Sequence, residues 1–319
     1  MNVLVIGAGV IGSIYGWALA QNGHQVLHLV RSGRVGVLRE GIRLDLLDQR
    51  KARKRSLSGW YRLNAVETLS PANAVELVIV PVKHYALMPT LKAIAPQLIA
   101  AEFLLLTQNW QGVGEIDLLL PRSRYICGDA KAGGTFLGGK LVAALKGVDI
   151  GSPEGAPSAL AMKVADLFAS ADIQTRLHSD MLHYLWVQYA LTGGPWAALV
   201  QAGSFTKMLN DRDAALAALM AGRECLQVVK QRGVDIFRYP ETKPFLTNSA
   251  LRRHLNLWII RRMFRHDEYT RRCSAHALGD PVEVKTFYYD LMATGHDLGV
   301  PMPVMESYAE AMRRFSLAS

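Results

Sequence analysis

The chain has 319 residues, half of them hydrophobic, and no stretch approaches the roughly 18 to 20 uninterrupted apolar residues of a membrane span. Its formal charge of +9 suits an anionic partner, while its three cysteines, Cys127, Cys225 and Cys273, are too widely spaced for a metal site. The length suits two domains, and the sparse cysteines, with no secretory leader ahead of the first apolar run, point to a reducing cytoplasmic setting.

Residues 3–6 are an apolar run of the kind a buried parallel strand needs, and a helix is predicted over 13–22. Between them lies Gly7-Ala8-Gly9-Val10-Ile11-Gly12, the dinucleotide-binding fingerprint in its required strand–turn–helix context. Gly7 permits the tight turn, Gly9 lets a pyrophosphate approach the backbone, and Gly12 lets helix and strand pack closely. The amides and dipole at the helix start favour the phosphate charge.

A second strand at 25–29 runs into Val30-Arg31-Ser32-Gly33-Arg34. An acid after this strand would bond a free ribose hydroxyl, whereas a cation accommodates a 2′-phosphate. No acid is in reach there, and the Arg31 guanidinium suits a phosphate, with Ser32 and Arg34 as helpers. This favours NADP(H) over NAD(H). The basic run Arg50-Lys51-Ala52-Arg53-Lys54-Arg55 is the best local argument for nucleic acid, but a solvated loop between two strands explains it better.

Further strands are predicted at 77–80, 103–106 and 124–127, and a helix over 88–95 with Pro89 in its first turn. The βα alternation implies a mostly parallel, doubly wound α/β sheet. Residues 135–150, alternating around Gly138-Gly139, read as antiparallel strands that extend it. A turn cluster over 151–157 leads into a helix over 158–170. From about Asp180 the texture becomes all-helical, with helices predicted over 181–191, 214–231, 249–265, 283–298 and 304–314. The domains are expected at 1–176 for the dinucleotide and 177–319 for substrate and dimerisation. Trp258, Ile259, Ile260 and Phe264 lie close together in one helix, and either a homodimer surface or burial within the monomer accounts for them.

Several motifs then fall in order. They are the Gly7/Gly9/Gly12 turn, Arg31, Pro81-Val82-Lys83, Thr107-Gln108-Asn109, Gly279-Asp280-Pro281-Val282-Glu283 and Gly299-Val300-Pro301-Met302-Pro303. Together they resemble the ketopantoate reductase (2-dehydropantoate 2-reductase) family. The resemblance implies a Rossmann-like domain and an all-α C-terminal domain like that of 6-phosphogluconate dehydrogenase. It also implies NADPH-dependent reduction of a small 2-oxo acid. By the same resemblance, Arg31 and Lys83 contact the adenosine side of NADP, Asn109 contacts cofactor and substrate, and Glu283 contacts the nicotinamide ribose region.

The substrate side departs from the pattern. Asp180 and Trp186 match the residues that precede the family's catalytic lysine, but Gln188 stands where that lysine is expected. Thr192 replaces an asparagine, Gly194-Pro195 an Asn-Pro step, and Arg271-Arg272 a substrate-holding serine. A glutamine amide donates a hydrogen bond but releases no proton near neutral pH. His183, Tyr184, Tyr189 and Lys207 are the nearby groups that could compensate, and Arg271 with Arg272 could clamp a carboxylate. The leading expectation is a reductase acting on a 2-oxo acid or related carbonyl compound; the alternative is a catalytically silent NADP(H)-binding sensor or scaffold.

Overall fold

The computed structural model describes residues 1–316 except 52, 71–73, 248, 265–266 and 275–276, and not the side chains at 250, 251, 253, 263 and 277. Ala52 of the basic run and Arg265 at the end of a predicted helix therefore lie outside the described residues. The chain divides into two compact units, Met1–Leu185 and Trp186–Ser319.

The first unit is built on one ten-stranded sheet. Its strands are β1 (Asn2–Ile6), β2 (Gln25–Leu29), β3 (Ile42–Asp48), β4 (Arg55–Tyr61), β5 (Asn64–Val66), β6 (Leu77–Val80), β7 (Glu102–Leu106), β8 (Tyr125–Leu137), β9 (Lys140–Gly151) and β10 (Gln174–His178). The spatial order is β4-β3-β9-β8-β7-β6-β1-β2-β5, with β10 beside β9. β5, β2, β1, β6, β7 and the first part of β8 are mutually parallel. Their all-apolar centre, with β6 buried at every residue, is the pattern of a sheet covered on both faces. The fold is therefore Rossmann-like, as the βα alternation implies.

β8 and β9 form the expected antiparallel extension, joined at Gly138 (φ +53°) and Gly139 (φ +75°), two positive φ values that suit a primed hairpin turn. Sequence reasoning misses β3, β4, β5 and β10. β4 and β5 are half-exposed strands at the two ends of the sheet order whose apolar alternation is weak, and β10 straddles the expected domain boundary; β3, although buried and alternating at Ile42, Leu44 and Leu46, is passed over. Arg50, Lys51, Arg53 and Lys54 of the basic run lie in the connection between β3 and β4, and Arg55 opens β4. Two of its cations are tied down: Arg50 forks onto Asp48 and reaches the Ala171 carbonyl at 2.7 Å, and Lys51 pairs with Asp172 at 2.9 Å.

Helix boundaries differ from expectation in two instructive places. The helix after β6 spans His84–Ile94, so Pro89 sits inside it rather than in its first turn. The helix expected to stop at 191 runs from Met181 to Ala202. A Cβ on Gly194 would lie 2.6 Å from the Gly222 nitrogen, and one on Gly193 would lie 2.4 Å from Leu291 Cδ1. The glycine pair is thus not a turn but a close helix crossing, where the absence of side chains lets backbones meet.

Among its described residues the regular elements of the second unit are all helical: Phe205–Asn210, Arg212–Gln231, Ala250–Phe264, Glu268–Ser274 and Pro281–Asp297, then two short pieces, Pro303–Glu306 and Ala309–Arg314. The final predicted helix is split in two, and the Glu224 carboxylate takes the Val304 and Met305 amides at the start of the first piece. Among the described residues no helix is long and apolar enough to cross a membrane.

Candidate functional site

The fingerprint turn has the geometry its sequence requires. Gly7 adopts φ +84°, a left-handed conformation that only glycine takes without strain, and its amide donates to Leu29 O at the end of β2. Gly9 is the N-cap of the helix Val10–Ala20, no side chain caps that start, and a Cβ on Gly9 would meet no protein atom within 4 Å. Gly12 is the opposite case: its Cβ position lies 3.0–3.3 Å from Val5, Gly7 and Pro81. Uncapped first-turn amides beneath an exposed Gly9, with Ala8, Val10 and Ile11 around it, fit a pyrophosphate.

His28, wholly buried, braces this turn. Its Nδ1 lies 2.9 Å from Gly7 O, which can only accept, so Nδ1 carries the proton; Nε2 then accepts from Tyr61 OH at 2.9 Å. Burial pushes the His28 pKa down and keeps the ring neutral.

Arg31 lies exposed two residues past β2. The expectation that no acid is in reach of this loop is overturned. β5 pairs in parallel with β2, Leu29 opposite Val66, and Val30 N–H donates to Val66 O at 2.8 Å. The next residue, Glu67, therefore lands against the loop and accepts from the Val35 amide at 3.1 Å. That bond, with the Gly33 and Arg34 amides and the Ser32 hydroxyl, holds its carboxyl pKa below the usual range. The acid is distant in sequence and adjacent through strand pairing, which is why local reading misses it.

Lys83 follows β6 and is the N-cap of the His84–Ile94 helix. Asn109 follows β7, is 5 % exposed, and holds a strained φ of +41°. Its amide donates to Cys127 Sγ at 3.3 Å and accepts from the Thr107 hydroxyl at 3.3 Å. Both residues stand at carboxyl ends of parallel strands, the edge at which doubly wound sheets hold ligands.

Beside them lies a charged cluster that motif reading passes over. Asp149 on β9 is directly opposite Asp129 on β8, and such like charges repel unless bridged. Lys131, at a β-bulge in β8, contacts both carboxylates. Asp149 also accepts from Arg176 Nε at 2.5 Å, His178 Nε2 at 2.9 Å and Tyr184 OH at 2.8 Å. Burial alone would raise the Asp149 pKa, but the bonds from His178 and Arg176 and the charge of Lys131 hold it far below the usual range. Gln108 Nε2 donates to Asp129 at 3.1 Å, so the network reaches the turn that carries Asn109. Charges inside the otherwise apolar runs Gly128-Asp129-Ala130-Lys131 and Val148-Asp149-Ile150 are the sequence signal that could have revealed it.

In the second unit, Gln188 Nε2 donates to Glu241 Oε1 at 3.0 Å. Thr192, one helical turn on, is partly buried, and Gly194 belongs to the helix crossing. Of the groups that could compensate for the missing lysine, Tyr184 is committed to Asp149 in the first unit, and Tyr189 OH donates to Asp290 at 2.7 Å. Burial and that carboxylate push the Tyr189 pKa well up, making it a poor acid. Arg271 is largely exposed and Arg272 pairs with Glu268 at 2.7 Å within the same helix. Glu283, 9 % exposed, lies in the first turn of Pro281–Asp297, where its amide donates to the Asp280 carboxylate at 3.0 Å. Arg232, whose pKa burial lowers to about 10, stacks 3.5 Å over the Trp186 ring.

Comparison with known proteins adds to this geometry. Residues 3–146 match the family model described as ketopantoate reductase PanE/ApbA. A curated 2-dehydropantoate 2-reductase of Pyrococcus abyssi is 26% identical over 269 residues, 80% of this chain and 83% of that protein. Among solved structures, a 2-dehydropantoate 2-reductase from Geobacter metallireducens GS-15 superposes with a TM-score of 0.74 at 16% identity, covering 99% of this chain and 100% of that one. D-Mandelate dehydrogenase in complex with NADH superposes with a TM-score of 0.70 at 16% identity, covering 98% of each chain. Residues 3–146, the greater part of the nucleotide-binding unit, thus match a ketopantoate reductase domain, and the whole chain is similar in fold to solved ketopantoate reductases.

Proposed function

We propose that the protein is a cytoplasmic NADPH-dependent oxidoreductase that reduces the carbonyl group of a small 2-oxo acid or a related compound. The observation that carries this reading is the uncapped helix start at Gly9, followed by Arg31 at the exit of β2. Amides of the Val10–Ala20 helix receive the pyrophosphate, with Gly7 and Gly12 shaping the turn. The Arg31 fork takes the 2′-phosphate, and Lys83, Asn109 and Glu283 complete the cofactor contacts. Bound NADPH supplies the hydride. We assign the dinucleotide to residues 1–176 and the substrate, with Thr192, Gly194 and Arg271 as contacts, to 177–319. Leu255, Trp258 and Ile259 are exposed on the Ala250–Phe264 helix and support a homodimer.

At the family's lysine position, the Gln188 amide can hydrogen-bond a carbonyl oxygen but cannot protonate the alkoxide that hydride transfer creates. Reduction of ketopantoate to pantoate, the reaction that would place the protein in pantothenate biosynthesis, is therefore expected to be slow. The Gln188–Glu241 pair also favours a second reading, a catalytically silent NADP(H) sensor. Titration of NADPH and NADH by fluorescence, followed by turnover on ketopantoate, benzoylformate and pyruvate, separates the two. Tighter binding of NADPH with turnover of any of the three supports the reductase, whereas tight binding without turnover supports the sensor. Equal affinity for both dinucleotides refutes the NADP assignment.

A further inference from the structure

The loop nominated for the 2′-phosphate already holds an anion. Arg31-Ser32-Gly33-Arg34 follows β2, and the Glu67 carboxylate lies against it because β5 pairs with β2 in fixed register, Leu29 with Val66. The Val35 amide donates to Glu67 Oε1 at 3.1 Å. The register and this bond are independent observations, and both put the carboxylate at the adenosine end of the sheet. We infer that Glu67 is a specificity-determining residue of the nucleotide site, restraining the preference for NADPH over NADH that Arg31 creates.

The physical reason is a competition of signs. A 2′-phosphate brought to Arg31 enters the field of Glu67, a like charge a few ångströms from the same backbone, and it also competes for that carboxylate's donors. A 2′-hydroxyl meets no such repulsion and finds in Glu67 an acceptor. The surrounding donors favour the ionised carboxylate, so the restraint persists across the neutral range. Because Glu67 is exposed, the effect is screened rather than absolute, and a change of about three- to thirtyfold is expected when its charge is removed.

The inference rests on the NADP(H) reading above, and the test separates them. Glu67→Gln keeps an oxygen to accept from Val35 while removing the charge; Glu67→Ala removes both. Dissociation constants for NADPH and NADH are measured by fluorescence on the full chain, with displacement by adenosine 2′,5′-bisphosphate and by AMP as probes that need no turnover. For Glu67→Gln, NADPH and the bisphosphate should tighten by about three- to thirtyfold while NADH and AMP stay within about twofold. The gain should shrink near 1 M salt, where the Debye length falls to about 3 Å. An unchanged NADPH/NADH ratio, or weaker NADPH binding in Glu67→Gln, overturns the role given to Glu67 and leaves the cofactor reading intact. Wild-type protein that binds neither dinucleotide overturns both. Glu67→Ala reports the cap: if it weakens both dinucleotides while Glu67→Gln does not, the loop needs the oxygen and the specificity lies in the charge.

Discussion

Two glycines, Gly9 at the cap of the Val10–Ala20 helix and Gly16 inside it, should respond to the same substitution in opposite ways. At Gly9 the backbone is extended (φ −74°, ψ −175°), a conformation open to alanine, and a Cβ would touch nothing. Alanine there gives up the N-cap preference for glycine but restricts the unfolded chain by about 0.4–1 kcal/mol, so the two terms nearly cancel. The melting temperature should stay within about 4 °C, at roughly 2–4 °C per kcal/mol for a unit of this size. The methyl group would nonetheless stand where the pyrophosphate approaches, and NADPH affinity should fall at least about tenfold, about 1.4 kcal/mol. At Gly16 the new Cβ would lie 2.6 Å from His28 Nε2 and 3.0 Å from Tyr61 OH. His28 cannot retreat without loosening its bond to Gly7 O. Overpacking of about 1–3 kcal/mol and a disrupted buried hydrogen bond of about 1–3 kcal/mol outweigh the roughly 1 kcal/mol that alanine adds inside a helix. A net loss near 3 kcal/mol should lower the melting temperature by about 6–12 °C. Thermal melts followed by circular dichroism, paired with NADPH titration, read both effects. A Gly9→Ala protein with wild-type NADPH affinity, or a Gly16→Ala protein as stable as wild type, would refute this account of the turn and its brace.

Asp149→Asn should destabilise the protein by about 3–5 kcal/mol near neutral pH, because it leaves Lys131 and Arg176 short of their buried counter-charge; urea melts measure this. The folded pKa of Asp149 lies below its unfolded value of about 3.9, so its stabilisation is complete above that pH and is lost as pH falls through the folded value. The gap between wild type and Asp149→Asn should therefore narrow in strong acid, and a gap that widens there contradicts the assignment. Gln188→Lys should raise kcat on ketopantoate by about a hundredfold or more, since general-acid contributions of 10²–10⁴ are typical. Glu241, 3.0 Å from the Gln188 amide, is placed to hold the introduced ammonium. No gain in kcat, with NADPH affinity preserved, would show that position 188 is not the proton-donor position.

The parts of the fold legible in the sequence are those fixed by local rules. β1, the glycine turn and β6 announce themselves by apolar runs and by glycines whose roles are set within a few residues. The β8–β9 hairpin is legible for the same reason, since Gly138-Gly139 and the flanking alternation suffice. What escapes is set by pairing across the sheet. Glu67 reaches the β2 loop only because β5 lies beside β2, and Asp129 faces Asp149 only through the hairpin register. The helix expected over 181–191 instead runs on through Gly193-Gly194, whose smallness serves a crossing with Gly222 that only the tertiary contact reveals. The absence of lysine at 188 is plain in the sequence, but its replacement by a Gln188–Glu241 pair depends on a contact 53 residues away.

β9 has three neighbours: β8 along its length, β3 over Lys140–Leu145, and β10 over Gly147–Gly151. During synthesis this imposes a wait. The β3–β4 hairpin leaves the ribosome roughly 90 residues before the strand it must join, about 5–20 s at ordinary elongation rates. Throughout that interval Leu44 and Leu46 flank an unpaired strand edge, the kind of surface that recruits other chains. The cations Lys51, Arg53 and Lys54 lie at the tip of that hairpin with Arg55 opening β4, and clustered positive charge is a common guard against such pairing. The dinucleotide turn is complete within the first twelve residues, but the sheet that orients it is not closed until His178 has emerged.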